Sequence, residues 1–328
     1  MKFAIAGAGA IGAYIGALMA RAGQDVTLFA RGPHLDAMRN RGVRIITANG
    51  EFTAHPRVTG TIEDLGAAEV VMLGVKAHGL ATLAPRLAPI LRPDTIVVST
   101  QNGLPWWFFQ TENGRFSDLT PDRLDPGGII SRSIEFRRIV GSIVYFATEI
   151  VEPGVIRHTE GDRLSLGEPD GKRSGRCRQI ADAMIAAGLH CPVTTHLREE
   201  IWVKLIGSVA FNPVSLLTGA TIGAMLRNDE MRALVRAIMT EAGEIANAID
   251  VKLPISIDKR IAGAEKIGEH KTSMLQDFEA GRPLELDAIV GALVDLGDRL
   301  GLAIPHIRTV YACARLMIET RGKSVRQN

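Results

Sequence analysis

Short apolar runs alternate with amphipathic stretches through the first half of the chain. The runs lie at 3–6, 25–29, 70–75 and 95–99, and runs of this kind are typical of strands buried in a parallel sheet. Between them, apolar residues recur with the helical period, as Ile11 and Ile15 do after the first run. The alternation predicts an α/β domain with an open parallel sheet, over residues 1–195.

Further segments of the first half are rich in β-forming residues. Residues 43–47 and 52–55 flank Asn49-Gly50, a pair that favours a tight turn, so we expect a short hairpin. The β-rich segments at 139–150, 154–159 and 163–166 are expected to extend the sheet in antiparallel fashion. Helices are predicted at 33–40 and 175–187, and a strand at 190–193 closes the domain.

From residue 197 onward the strand signals vanish, and the apolar period becomes helical. The predicted helices span 198–211, 229–249, 257–267, 285–300 and 305–320. This pattern predicts a second, all-α domain at 196–328.

The interval 104–136 interrupts the alternation. It begins with four consecutive aromatic residues at 106–109 and continues through Asn113-Gly114, Pro121 and other turn signals. We expect a long insertion here. Two interpretations remain open: a packed cover for the domain, or a role in substrate binding or oligomer contact.

Composition narrows the class of ligand. The chain has 328 residues, 46% hydrophobic and 23% charged, with a net charge of +2 and no basic run carrying aromatics. We therefore expect a small-molecule ligand and no nucleic acid. The three cysteines are odd in number and lack metal-ligand spacing, which indicates a reduced cytosol. The histidines show no metal-ligand pattern either, so no metal site is expected. No unbroken apolar run reaches about 18 residues, and Met1 leads directly into a strand, so neither a membrane span nor a signal peptide is expected.

The first apolar run leads into a glycine pattern. Gly7, Gly9 and Gly12 follow it with the spacing G-x-G-x-x-G, and a predicted helix comes next. In this context the glycines permit a tight turn, the approach of a pyrophosphate, and close packing of helix on strand. The helix N-terminus, at Ala10 and Ile11, offers N–H groups to phosphate. The alternative is a glycine-rich turn that binds nothing.

The residue after the second strand indicates which dinucleotide binds. An NAD site usually has a carboxylate there, whereas this chain has Arg31. A guanidinium suits the 2′-phosphate of NADP, so NADP(H) is the expected cofactor. The alternative is an arginine that is merely solvated.

Polar residues also follow the third and fourth apolar runs. Lys76 and Asn102 stand where parallel strands end, at the edge of the sheet where ligands bind. Each could instead be a surface lysine or a turn asparagine.

A polar stripe marks the first helix of the second half. Lys204, Ser208 and Asn212 are four residues apart, so they share one face of an otherwise apolar helix. Pro213 is expected to free a backbone carbonyl near this face. An unpaired buried lysine is costly, so Lys204 must either meet a carboxylate or line a cleft.

Together these features resemble the ketopantoate reductase family, the NADPH-dependent 2-dehydropantoate 2-reductases. The matching pieces are the glycine pattern, Arg31, Val75-Lys76, Gln101-Asn102-Gly103, Trp202-x-Lys204-Leu with Asn212-Pro213, Ser273-Met-Leu-Gln-Asp277, and Gly281-Arg282-Pro-Leu-Glu285-Leu-Asp287. The resemblance runs along the whole chain apart from the insertion. It implies a Rossmann domain followed by an all-helical domain of the 6-phosphogluconate dehydrogenase type, with the site in the cleft between them.

The resemblance also implies roles for individual residues. The implied catalytic residues are Lys204 and Glu285. Lys204 would donate a proton to the developing alkoxide, and Glu285 would contact the substrate hydroxyls near that lysine. The implied substrate contacts are Asn102, Ser208, Asn212 and Ser273. The implied cofactor contacts are Gly7, Gly9, Ala10, Ile11, Gly12, Arg31, Lys76, Asn102 and Glu285.

The expected function is thus reduction of 2-dehydropantoate to (R)-pantoate, for pantothenate biosynthesis in the cytoplasm. Two departures from the family keep a related 2-oxo acid or 3-hydroxy acid open as substrate. Ser208 stands where the family commonly has asparagine, and the aromatic insertion at 104–136 adds bulk near the expected substrate cleft. A non-catalytic NADP-binding sensor is a further alternative. The sequence leaves the oligomeric state open, with a homodimer as one arrangement.

Overall fold

The computed structural model describes residues 1–110 and 114–324, with side chains as far as residue 321. They form two compact units. The first contains Met1–Gln101 and Asp125–Leu197, together with the segment that starts at Pro105. The second contains Asn102–Leu104, Gly114–Leu124 and the chain from Arg198 onward. The predicted fold class, an α/β Rossmann-type unit followed by a helical one, is confirmed.

The first unit is built on a largely parallel sheet. Its strands are β1 Lys2–Ala6, β2 Asp25–Phe29, β3 Val43–Thr47, β4 Gly50–Ala54, β5 Arg57–Thr59, β6 Val70–Leu73, β7 Ile96–Ser99, β8 Ile139–Val144, β9 Ala147–Glu152, β10 Val155–Glu160 and β11 Leu164–Gly167. In the described part of the chain, seven of them form one sheet in the order β11-β8-β7-β6-β1-β2-β5. Neighbours in it are parallel except β11, which pairs antiparallel with β8.

The remaining strands form a second sheet, in the order β4-β3-β10-β9. The expectation that 139–150, 154–159 and 163–166 all extend the first sheet in antiparallel fashion is therefore wrong. The chain leaves the first sheet after Val144: β8 is buried along its whole length, whereas β9 is partly exposed. The predicted hairpin at β3–β4 is present, and β3 pairs in parallel with β10.

The strand predicted at 190–193 is also absent. Only isolated bridges form there, at His190 and Val193. Pro192 lies between them, and a proline has no backbone N–H to donate to a ladder. The helices of this unit are α1 Ala10–Arg21, α2 Gly32–Arg41, α3 Ala77–Leu83, α4 Ile129–Ser133 and α5 Gly175–Ala186.

The second unit is helical. Its helices are α6 Leu197–Thr218, α7 Ile222–Arg227, α8 Asp229–Ala248, α9 Ile257–Glu265, α10 Ser273–Glu279, α11 Ala292–Leu300 and α12 Pro305–Ser324. α6 continues through Pro213, beyond the predicted end at residue 211. The helices α7 and α10 were not predicted from the sequence, because six or seven residues span too few turns to show a period.

The helix predicted at 285–300 has two parts. It begins as a π-helical turn over Asp287–Gly291, called the π segment below, and continues as α11. Among the described residues, one helix is long and apolar enough to cross a membrane by length and composition alone. It is α6, and 72% of its most apolar window is buried inside the protein.

The insertion has two different parts. Its four aromatic residues, Trp106, Trp107, Phe108 and Phe109, are all buried in the first unit, where Trp107 Nε1 donates to Ser99 Oγ over 2.8 Å. This stretch is therefore a packed cover. Residues 111–113, including Asn113 of the predicted turn, lie outside the described residues. Gly114–Leu124 belongs to the second unit.

The buried tryptophans allow a matched test of this cover. Trp107→Phe should lower the free energy of unfolding by about 1–3 kcal/mol, because it removes a buried hydrogen bond as well as volume. Trp106 is equally buried, but its Nε1 has no hydrogen-bond partner among the described residues, so Trp106→Phe should cost less. Urea unfolding followed by circular dichroism measures both. Equal losses would mean that the Ser99 contact contributes nothing.

Candidate functional site

A tight turn joins β1 to α1 in the first unit. Gly7 has φ +119, a conformation that L-residues rarely adopt. A Cβ atom at Gly12 would overlap the carbonyl oxygen of Gly7, so α1 could not approach the turn as closely. These two glycines are thus required by the fold itself.

Gly9 differs from the other two glycines of the motif. Its φ is −73, which other residues adopt, and a Cβ atom there would lie 3.8 Å from Gly74 O. Neither the backbone nor a protein neighbour therefore requires a glycine at this position. Gly9 is the N-cap of α1, and no side chain of the N-cap accepts from the N–H groups of the first helical turn. Ala10 and Ile11 in this turn are partly exposed. A helix N-terminus of this kind suits an anion close to the backbone.

Two cations stand at the same edge of the sheet. Arg31 follows β2 as the exposed N-cap of α2, and Lys76 follows β6 as the partly buried N-cap of α3. Because β2 and β6 both pair in parallel with β1, these residues and the glycine turn follow three adjacent strand ends. The first unit thus brings its predicted cofactor residues to one edge.

Gln101 was not among the site residues predicted from the sequence. Its Nε2 donates to the carbonyl oxygens of Leu73, at 2.7 Å, and Val75, at 3.0 Å. These two bonds fix the amide, and its Oε1 is buried without a hydrogen-bond partner among the described residues. A buried acceptor in this state fits a hydroxyl or amide donor of a bound molecule. The sequence signals were its place after β7, beside Asn102, and its presence in the matching piece Gln101-Asn102-Gly103.

Lys204 is the centre of the candidate site in the second unit. It lies partly buried on α6, and its Nζ donates to Asn102 Oδ1 over 2.6 Å. Burial lowers the pKa of Lys204 to about 8, while the negative charge of Glu285 pulls that pKa upward. A lysine in this range is a competent proton donor near neutral pH.

The other predicted residues of this unit are placed as follows. Asn212 is buried two turns along α6 from Lys204, and Ser273 is the exposed first residue of α10. Ser208 Oγ donates to the carbonyl oxygen of Lys204 over 3.2 Å, so its hydroxyl bonds within its own helix. Glu285 is partly buried and lies two residues before the π segment. The structure thus brings Asn102 and Glu285 to Lys204.

Comparisons with known proteins agree along the whole chain. The family model described as ketopantoate reductase PanE/ApbA matches residues 3–106, and the model of its C-terminal part matches 196–318. A curated 2-dehydropantoate 2-reductase of Mesorhizobium japonicum is 46% identical over 323 residues, which cover 98% of this chain and 99% of that protein.

Solved structures give the same result. A protein of Ralstonia solanacearum MolK2, described provisionally as a ketopantoate reductase, superposes with a TM-score of 0.91 at 38% identity, covering 98% of each chain. A PanE/ApbA family ketopantoate reductase of Ralstonia eutropha JMP134 gives a TM-score of 0.85 at 29% identity, covering 98% of this chain and 100% of that one.

The two motif glycines Gly9 and Gly12 should respond differently to a methyl group. Gly12→Ala should lower the free energy of unfolding by about 1–3 kcal/mol, because its Cβ would overlap Gly7. Gly9→Ala should stay within about 1 kcal/mol of the unmodified protein, the cost of a weaker N-cap. It should nevertheless weaken NADPH binding at least about tenfold. Unfolding curves and a fluorescence titration measure the two effects, and unchanged NADPH affinity in Gly9→Ala would refute a ligand at this turn.

Proposed function

We propose that the chain, which belongs to the ketopantoate reductase family, reduces 2-dehydropantoate to (R)-pantoate with NADPH, a step of pantothenate biosynthesis. The observation that carries the proposal is the bond from Lys204 Nζ to Asn102, together with the charge of Glu285. It puts a proton donor of suitable pKa into a chain that is similar over its full length to a curated reductase.

The residues of the first unit fit NADPH. The turn at Gly9 and the N-terminus of α1, with Ala10 and Ile11, would receive the pyrophosphate, and the exposed guanidinium of Arg31 would pair with the 2′-phosphate. Gln101 Oε1 would accept from a donor of the same molecule. We assign Lys76, Asn102 and Glu285 as further cofactor contacts, as the family resemblance implies. When bound, the cofactor supplies the hydride for the keto carbon.

Lys204 handles the proton in the proposed reaction. As negative charge grows on the substrate oxygen, the ammonium stabilises it and then transfers one proton, which leaves an alcohol and a neutral lysine. Solvent returns that proton. Asn102 and Glu285 orient the ammonium, and we assign Ser273 to the substrate carboxylate and Asn212 to a substrate hydroxyl, as the resemblance implies.

Ser208 supports a second candidate substrate. Because its hydroxyl bonds to the Lys204 carbonyl, it does not extend toward a ligand as the family's asparagine would. A different 2-oxo acid or 3-hydroxy acid is therefore the second candidate, with the same chemistry. A non-catalytic NADP sensor would need no lysine with a depressed pKa beside a carboxylate, so the Lys204 arrangement argues against it.

Location and assembly follow the sequence-based expectations. We propose a cytoplasmic enzyme, because the reaction consumes soluble metabolites and the cysteine usage suits a reduced compartment. A homodimer is the proposed assembly, and light scattering on the purified protein measures it.

Removing the proton donor should separate binding from chemistry. Lys204→Ala should bind NADPH normally but lose about two to four decades of kcat with 2-dehydropantoate, measured as NADPH oxidation. Lys259→Ala, at an exposed position on α9, is the matched control and should retain the full rate. A panel of 2-oxo acids belongs in the same assay. Turnover of another acid, with none of 2-dehydropantoate, would overturn the substrate assignment.

The pH dependence of reduction should report the pKa of Lys204. Because the ammonium is the active form, kcat/KM should be constant below pH 8 and fall about tenfold per pH unit above it. Glu285 raises this pKa, so Glu285→Gln should move the falling limb to lower pH. A falling limb near the ordinary lysine pKa of about 10.4, or one that does not move in Glu285→Gln, would contradict the assignment.

A further inference from the structure

The π segment has a geometric consequence for the helix that follows it. The N–H of Ala292 reaches the carbonyl of Asp287, five residues back, so the turn contains one residue more than an α-helical turn. In a regular α-helix, residues eight apart are rotated by about 80° relative to each other. The extra residue removes most of this rotation, so Asp287 and Asp295 come to nearly the same face.

One arginine connects these two carboxylates. Arg123 Nε donates to Asp295 Oδ2 over 2.7 Å, and its Nη1 lies 3.0 Å from Asp287 Oδ1. The same Nη1 donates to the hydroxyl of Tyr311 over 2.7 Å, and that hydroxyl donates to Asp287 over 2.6 Å. We call Arg123, Asp287, Asp295 and Tyr311 the Arg123 cluster.

The Arg123 cluster is partly enclosed. The side chain of Arg123 is 30% exposed and that of Asp295 24%, whereas that of Asp287 is 65% exposed. Gly291, the last residue of the π segment, makes room for it: a Cβ atom there would lie 3.1 Å from Arg123 Cδ and 3.1 Å from the Tyr311 hydroxyl. Burial raises the pKa of Tyr311, so the phenol stays protonated and can donate.

The π segment supports both partners of Lys204. Gly103, next to Asn102, has φ +85, and a Cβ atom there would lie 2.8 Å from the carbonyl oxygen of Ala288. The backbone beside Asn102 therefore packs directly on the π segment. Glu285 precedes the segment by two residues, and its carbonyl accepts from Ile289 N over 3.0 Å. A displacement of this turn would move Asn102 and Glu285 together.

We propose that Arg123 is a positioning residue for the Lys204 site, acting through the π segment. Its contacts connect Asp287 to Asp295 on α11 and to Tyr311 on α12. They thereby hold in place the π segment, which positions Asn102 and Glu285. Arg123 does not touch the reacting atoms. The proposal rests on the proposed function, because the geometry matters only if Lys204 donates the proton.

Arg123→Ala should release the π segment while the lysine remains. We expect kcat to fall about ten- to a hundredfold, because a small displacement of Asn102 and Glu285 misplaces the proton donor relative to the reacting atoms. The falling limb of kcat/KM should move to lower pH, toward its position in Glu285→Gln, because Glu285 no longer sits against Lys204. Arg123→Lys keeps the charge and should restore part of the rate and of the limb's position.

A matched control lies in the same segment of the chain. Arg115 also pairs with an aspartate of the helical unit, Asp250, and both side chains are exposed. Arg115→Ala should therefore leave kcat and the pH limb unchanged. If Arg123→Ala does not fold, Asp295→Asn removes the charge from one contact of the cluster and should produce the same shift in smaller size.

Two outcomes would overturn the proposal. One is that kcat/KM falls at the same pH in Arg123→Ala, or in Asp295→Asn, as it does in the control Arg115→Ala. The other is a falling limb of kcat/KM that lies at lower pH in the double variant Arg123→Ala/Glu285→Gln than in Glu285→Gln alone. Arg123 would then act on Lys204 independently of Glu285. Competitive acylation of Lys204 at a series of pH values, read by mass spectrometry, gives its pKa without turnover. It separates failure of this proposal from failure of the proposed function.

Discussion

The candidate site of the helical unit depends on one poorly solvated ammonium group, that of Lys204. Burial disfavours the charge on Lys204, and the amide of Asn102 and the charge of Glu285 offset part of that cost. The balance sets a pKa of about 8. Both forms of the lysine are then accessible near neutral pH, which a fully exposed lysine would not allow.

The surrounding fold keeps that balance in place. Leu205 and Val209 share one side of α6 and are buried, and Trp202 Nε1 donates to the carbonyl of Ala242 on α8 over 3.0 Å. α6 therefore cannot rotate to give Lys204 to solvent. The first unit operates under a different constraint, which is steric: the Gly7 and Gly12 positions fix the turn, and Gly9 leaves its backbone open.

Features that depend on local pattern could be predicted from the sequence. The strand at 25–29, the glycine turn and the helix carrying Lys204 follow from apolar period and glycine spacing, which neighbouring residues determine. The contact between Lys204 and Asn102 could not, because the two residues are 102 positions apart and nothing local relates them. The second sheet could not be predicted for the same reason, because it pairs β3 with β10, which lie far apart in the sequence. The π segment could not be distinguished from an ordinary helix in the sequence, because its apolar residues still fit the helical period. Only its hydrogen bonds show the extra residue.

The proposed roles of the site residues all depend on the protonation of Lys204. The most direct measurement is a nuclear magnetic resonance titration of protein labelled with carbon-13 at the lysine ε-carbons, with the Lys204 signal identified by its loss in Lys204→Arg. We expect a midpoint near pH 8 for this signal. A midpoint at the ordinary lysine value, about 10.4, would contradict it.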